Sequence, residues 1–314
     1  MRLAASLILL LLLGVAVVQW RAAAREASAR AAFPAEGVFV EVDGRRVHAV
    51  QMGAGPDVVL IHGSSGNLRD YTFALAPALA KKYRVTVFDR PGLGWSDRLE
   101  PGAEGSGAQG RHLKQAADAL GVEMPVVLGQ SYGAAVALAW VLDHPGETRA
   151  MVSVAGPSHL WEGPLPFVYQ INSSWFGSRF IVPILTGFVP DSYLQRSIEG
   201  VFAPQAVPEG YSAALGAELA LTRTALRANA AQRASLKGEI AKLVPRYGGF
   251  PVPLEIVHGD ADTLVSVEIH GKLMVKDTDK ARLTTLEGIG HTPHHVAVEA
   301  VAAAVDRAFE RGGR

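Results

Sequence analysis

Ser131 stands in Gly129-Gln130-Ser131-Tyr132-Gly133, directly after the apolar run Val126-Val127-Leu128. A serine between glycines, where a strand turns sharply into a helix, is held in a strained conformation. Only hydrogen side chains let the adjoining backbone pass that closely. A hydroxyl is a poor nucleophile at neutral pH, so it needs a base within hydrogen-bond reach and a third group that orients the base. His291, in the glycine-rich stretch Gly288-Ile289-Gly290-His291, offers the imidazole. Asp262, in His258-Gly259-Asp260-Ala261-Asp262, offers the carboxylate, with Asp260 as an alternative. The chemistry open to such a set is attack of a hydroxyl on a carbonyl, with the proton carried by the imidazole.

Residues this far apart need a scaffold that gathers them. Val38–Val42 and Val47–Gln51, separated by Asp43-Gly44, read as an antiparallel hairpin. Apolar strands then alternate with glycine-containing loops and helices: Val58–Ile61, Val85–Phe88, Val126–Leu128, Met151–Val154, Leu254–Val257 and Leu283–Leu286. Near-continuous apolar strands flanked by helices indicate an α/β protein with a mostly parallel sheet covered on both faces. The last helix, through Val298, Val301, Ala302, Val305, Ala308 and Phe309, has apolar residues at three- and four-residue spacing. Ser131, Asp262 and His291 all follow carboxyl ends of strands, where ligand groups gather in open α/β sheets.

The alternation breaks for about a hundred residues between Met151–Val154 and Leu254–Val257, too apolar for a disordered linker. We therefore expect a helical cap at residues 157–245 and an α/β core built from residues 35–156 and 246–314. Within the cap, Tyr211 to Leu243 is expected to be helical. Most of Trp161, Trp175, Phe176 and Phe180 are expected to pack against the core, and some cap aromatics to line an apolar pocket.

From Val38 to Phe309 the chain resembles the α/β-hydrolase fold superfamily, in its serine hydrolase and esterase-like branch with a helical cap. The motifs that carry the resemblance are the serine elbow, His62-Gly63-Ser64-Ser65-Gly66-Asn67, Asp89-Arg90-Pro91-Gly92-Leu93-Gly94-Trp95-Ser96-Asp97, the Gly259–Asp262 turn and Gly290-His291. The resemblance implies a triad of Ser131, Asp262 and His291, and no cofactor. It also implies an oxyanion hole made by the backbone amides of Tyr132 and Ser64, with Ser65 as the competing amide in that loop. It places the acid at Asp262 and makes Asp260 a turn residue. Ser131 argues against the epoxide hydrolases and haloalkane dehalogenases of the superfamily, which carry aspartate at the elbow.

The implied activity is cleavage of carboxylic esters, with a small apolar ester as substrate, through an acyl-enzyme. Carbon–carbon bond hydrolases, peptidases and perhydrolases with the same serine are alternatives, as is a non-catalytic binding protein that keeps the fold. His62, Asp89 and His258 read as structural residues. His294 and His295 follow Pro293 at the start of the last helix, and no carboxylate stands at helical spacing to them, so no metal site is expected.

Lysine plus arginine equals aspartate plus glutamate at 30 each, which supplies no basic field for nucleic acid. The absence of cysteine excludes disulfides, thiolate metal sites and a cysteine nucleophile. Residues 1–20 carry an apolar run, Leu3 to Val18, closed by Gln19-Trp20-Arg21. It is expected to be a single-pass membrane anchor through residues 3–20, followed by a tether at 21–34. Secretion or periplasmic release after signal cleavage near Ala22-Ala23-Ala24 is the alternative. Arg21, Arg25 and Arg30 outnumber Arg2 and favour a cytoplasmic body.

Overall fold

The computed structural model describes residues 2–313. Among these, eight strands form one sheet: β1 (Val38–Val42), β2 (Arg45–Met52), β3 (Asp57–Ile61), β4 (Arg84–Phe88), β5 (Val126–Gln130), β6 (Ala150–Val154), β7 (Leu254–Gly259) and β8 (Ala281–Leu286). Their order is β1-β2-β4-β3-β5-β6-β7-β8. The pairs β1–β2 and β2–β4 are antiparallel, and every other pair is parallel. Asp43 and Gly44 both have positive φ, the conformation a two-residue hairpin turn requires. All strands but β1 run past their expected limits. At the carboxyl ends of β5 and β7, Gln130, His258 and Gly259 still hold ladder positions despite being polar or small.

The helices are α1 (Arg2–Ala32), α2 (Arg69–Thr72), α3 (Leu75–Leu79), α4 (Ser106–Ala119), α5 (Tyr132–Asp143), α6 (Phe167–Ser173), α7 (Val182–Phe188), α8 (Asp191–Phe202), α9 (Tyr211–Leu215), α10 (Arg223–Leu243), α11 (Gly271–Asp277), α12 (Pro293–Val296) and α13 (Val298–Arg311). One face of the sheet packs on α4 and α5 through Leu113, Val136, Trp140 and their neighbours. The other packs on α2, α3 and α13 through Tyr71, Leu75, Val301 and Val305. Helix α5 is apolar almost all round and buried from Tyr132 to Leu142, as a helix enclosed on every side must be.

Helices α6 to α10 form a helical cap inserted between β6 and β7. The helix expected over Tyr211–Leu243 is broken: Gly216 adopts the left-handed conformation with φ 63°. Thr222 then opens α10 as its N-cap, its Oγ accepting the Ala225 N–H at 3.2 Å.

The stretch expected as a tether is instead the second half of one unbroken helix. The half of α1 before Gln19 is exposed, and the half after it lies on the cap. Ala22 and Ala29 are buried there, at spacing that puts them with Glu26 on one helix face. Glu26 forms a forked ion pair with Arg223 at 2.9 and 2.7 Å, and its Oε1 also accepts the Arg223 backbone N–H at 2.7 Å. Burial opposes the Glu26 charge, but these bonds outweigh it and lower its pKa. Arg25 reaches the Val189 carbonyl and Asp191, and Arg21 sits 4.6 Å over the Phe188 ring. The physical reason for the correction is that alanine serves close helix packing here, where the composition alone reads as a spacer.

A chain begun at Phe33 should therefore be destabilised by on the order of 3 kcal/mol. That corresponds to a fall in Tm of roughly 6–12 °C. Thermal melts of both forms in one detergent check this, and matching melts would show that the docked half adds nothing.

Candidate active site

Ser131 sits at the junction of β5 and α5 with φ 50° and ψ −125°, a left-handed conformation that costs a non-glycine residue on the order of 1 kcal/mol or more. Its neighbours explain how the turn is possible. A Cβ on Gly129 would overlap the Gly133 carbonyl, and one on Gly133 would overlap the Ile61 carbonyl. The Ser131 N–H is tied to the Val154 carbonyl at 3.0 Å, so the elbow is pinned to the end of β6.

Asp262 lies three residues past the end of β7. Its Oδ1 accepts the amides of Leu264 and Val265 at 2.8 and 2.9 Å, and its Oδ2 lies 2.7 Å from His291 Nδ1. Burial pushes this carboxyl up, but hydrogen bonds from His258, His291 and Val265 win and hold it well below the usual carboxylate range. It is an anion throughout the neutral range. The buried His258 binds the Val265 carbonyl at 2.8 Å and stands 3.4 Å from Asp262, which closes the loop around the carboxylate. Asp260 accepts the Gly288 amide at 2.7 Å and is exposed, a turn residue away from the imidazole.

Ser131 and His291 line one cavity of about 450 Å³ between cap and sheet. Among the described residues no hydrogen bond joins the Ser131 hydroxyl to His291. Such bonds are often long without substrate and tighten around it. The Gln130 side chain donates to the His291 carbonyl at 3.1 Å, so the residue before the serine fixes the loop that carries the imidazole.

The loop after β3 reaches the serine closely: a Cβ on Gly63 would come within 3.2 Å of Ser131 Cβ. Ser65 has φ 55°, and its N–H is already given to Asn229 Oδ1 at 3.1 Å. The Ser64 and Tyr132 amides have no protein acceptor among the described residues. Tyr132 opens α5, whose first amides lack intrahelical partners by construction. Ser64 also lines the cavity that holds Ser131 and His291.

His62 is fixed as a neutral tautomer. Its Nδ1 lies 2.9 Å from the Gly63 carbonyl, and its Nε2 accepts the Arg90 amide at 3.0 Å. Burial, aided by the Arg90 charge, pushes it down to about 4. Asp89 accepts amides from Leu68 and Trp95 at 2.7 and 2.8 Å and pairs with His48.

A family model described as alpha/beta hydrolase fold matches residues 56–185, from just before β3 into α7. The chain has the α/β-hydrolase fold. The fold recurs across nearly the whole length in solved structures. An esterase from Thermogutta terrifontis aligns with TM-score 0.70 at 18% identity, over 89% of this chain and all (100%) of that one. A structure titled a membrane phospholipase A aligns with TM-score 0.66 at 20% identity, over 98% of both chains. Among curated sequences, a 2-hydroxy-6-oxo-6-phenylhexa-2,4-dienoate hydrolase of Burkholderia cepacia is 31% identical over 118 residues, 37% of this chain and 41% of that protein. The aligned stretch thus spans less than half the length of that relative.

Within this hydrolase fold the cavity also holds a polar cluster that sequence spacing does not reveal. A carboxylate does partner His294 and His295, and it comes from Asp70 on α2. Asp70 Oδ1 accepts the Tyr211 hydroxyl at 2.6 Å and lies 2.8 Å from His295 Nε2, while Oδ2 lies 3.2 Å from His294 Nε2. Burial alone would raise the Asp70 pKa, yet both histidines bring it well below the usual range. Burial pushes His294 down to about 4. The three ligand atoms lie within 4.8 Å of one another, near enough for one ion. However, both Nδ1 atoms lack the acceptor that normally orients a metal-bound imidazole. The cluster acts as a latch joining Tyr211 of the cap to the core.

Arg90 is the other residue whose role the sequence conceals. It is fully buried with its guanidinium shared among the His62 and Gly63 carbonyls, Gln109 and Gln232, and it lies 4.5 Å over the Tyr132 ring. The cap aromatics also depart from expectation. Trp161 packs against the core, whereas Trp175 and Phe176 are exposed by 76% and 56% and Phe180 by 42%. The Phe180 ring lies against both Trp175 and Phe176 on an exposed face of the cap.

Proposed function

We propose that the protein is a serine hydrolase that cleaves carboxylic esters through an acyl-enzyme, with its body held at a membrane by α1. The observation that carries this reading is the strained Ser131 elbow, which opens on the same cavity as an imidazole fixed by a buried carboxylate. His291 takes the Ser131 proton as the hydroxyl oxygen attacks the ester carbonyl. Asp262 stabilises the imidazolium, and the Ser64 and Tyr132 amides meet the oxyanion. Collapse of the tetrahedral adduct expels the alcohol with the proton from His291. Water then repeats the sequence on the acyl-serine.

An apolar acyl group suits this cavity, whose walls include Leu215, Leu221, Leu226 and Val265. Support for the membrane comes from the exposed half of α1, residues 3–20, which rise about 27 Å against a hydrocarbon core of roughly 30 Å. Cleavage at Ala22-Ala23-Ala24 would cut α1 within its docked half, so the uncleaved anchor is the reading we adopt. Phe188 packs beside Arg21, just past the span, and Phe180, Ile184 and Phe188 form an exposed apolar row leading from it. That row supports a cap that rests on the bilayer surface.

The test is turnover of p-nitrophenyl esters of graded acyl length by the full chain, with fluorophosphonate labelling of Ser131. Ser131→Ala should abolish labelling and lower kcat by roughly 10⁴-fold or more. Parental turnover in that variant would refute the assignment. The similarity to a dienoate hydrolase favours one second reading, hydrolysis of a carbon–carbon bond by the same serine. Turnover of a 2-hydroxy-6-oxodienoate by a protein inert to esters would select it.

A further inference from the structure

Two residues of α10, three positions apart and therefore on one face of the helix, hold the loop that carries Ser64. Asn229 holds it directly: its Oδ1 accepts the Ser65 N–H at 3.1 Å and its Nδ2 donates to Ser65 Oγ at 2.9 Å. Gln232 holds it through Arg90. Its Oε1 accepts from Arg90 Nη1 at 2.7 Å, and the same guanidinium donates to the His62 and Gly63 carbonyls at 2.8 and 2.9 Å. The far end of Gln232 donates to the Pro91 carbonyl at 2.8 Å. Both amide orientations follow from their partners, because a backbone N–H and a guanidinium can only donate and a carbonyl can only accept.

Ser65 is a non-glycine residue in the left-handed region, so its turn needs an outside hold. Asn229 supplies that hold with a pair of bonds from a buried side chain. Giving the Ser65 amide to the cap leaves the Ser64 amide as the unpaired one of the two, in a loop that lines the cavity with Ser131. On the reading that this protein is a serine hydrolase, we propose that Asn229 and Gln232 are positioning residues for the oxyanion hole. The cap thereby sets the aim of the Ser64 amide. Seating of α10 on the core and completion of the hole are one event, and a cap displaced by a fraction of a helical turn leaves the nucleophile with the Tyr132 amide alone.

The experiment uses the full chain in detergent with p-nitrophenyl butyrate and its thiono analogue, in which sulfur replaces the carbonyl oxygen. Asn229→Leu keeps the side-chain size and removes both bonds. It should lower kcat by roughly 100-fold with KM changed by no more than about a factor of two. The preference for oxygen over sulfur should fall with it, because that preference reports the donors around the oxyanion and a general loss of packing does not change it. Gln232→Met should give a smaller change of the same kind, and it carries the test by itself if Asn229→Leu does not fold. Parental kcat and oxygen preference in both variants, with Ser131→Ala inactive, would overturn the proposal and leave the hydrolase reading intact. An active Ser131→Ala would overturn both.

Discussion

Asp262→Asn is expected to lower kcat by about 10⁴-fold while leaving KM and the melting temperature close to those of the parent. The geometry dictates the outcome. The amides of Leu264 and Val265 both point at Oδ1, so the asparagine must keep its oxygen there and turn its NH₂ toward His291. An NH₂ facing His291 Nδ1 requires that nitrogen to accept, which moves the ring proton to Nε2. The imidazole then faces Ser131 with a donor and cannot take its proton. The imidazolium also loses the anion that stabilises it. Single-turnover acylation and fluorophosphonate labelling measure the effect. A decrease smaller than about tenfold would mean that Asp262 does not set the tautomer.

Arg90→Met should be the most destabilising single change at the site, by about 3–5 kcal/mol. The guanidinium is fully buried with no carboxylate against it, and burial pushes it down to about 10, which keeps it charged at neutral pH. Its charge is spread over four oxygen acceptors: two loop carbonyls and the side chains of Gln109 and Gln232. Methionine fills similar volume but leaves three of them without a donor and Gly63 with only the His62 imidazole, in a place water reaches poorly. Denaturant titration should show an earlier midpoint. The residual folded enzyme should show reduced kcat, because the His62–Gly63 loop loses the guanidinium that holds both of its carbonyls. A midpoint matching the parent would mean that water replaces the guanidinium without cost.

The strands were legible because a parallel sheet buried on both faces needs near-continuous apolar runs, and the chain has them at β3 and β5 and, interrupted only by Ser153 and Glu255, at β6 and β7. The candidate residues Ser131 and Asp262 could be picked out because each closely follows such a run, and His291 because it follows the last strand; glycines mark the turns that carry Ser131 and His291. What stayed hidden depends on which partner a polar residue meets. Asn229 and Gln232 read as ordinary surface residues of a helix, and nothing in their spacing separates a face turned to solvent from one turned to a loop. Asp70 stands more than two hundred residues from His294 and His295, so no local pattern joins them. The docked half of α1 was missed because Ala22, Glu26 and Ala29 look like filler until Arg223 and Gly187 of α7, which lies close against Ala22, supply the other half.

Helix α1 contains neither glycine nor proline from Val15 to Ala32 and stays helical to the end. It is a stiff rod without a joint. Arg223, which grips this rod at Gln19 and Glu26, is also the first residue of α10. On the reading that α1 spans a bilayer, tilt of the rod in a thinner or thicker one would be passed along α10 as leverage, toward the loop that Asn229 and Gln232 hold.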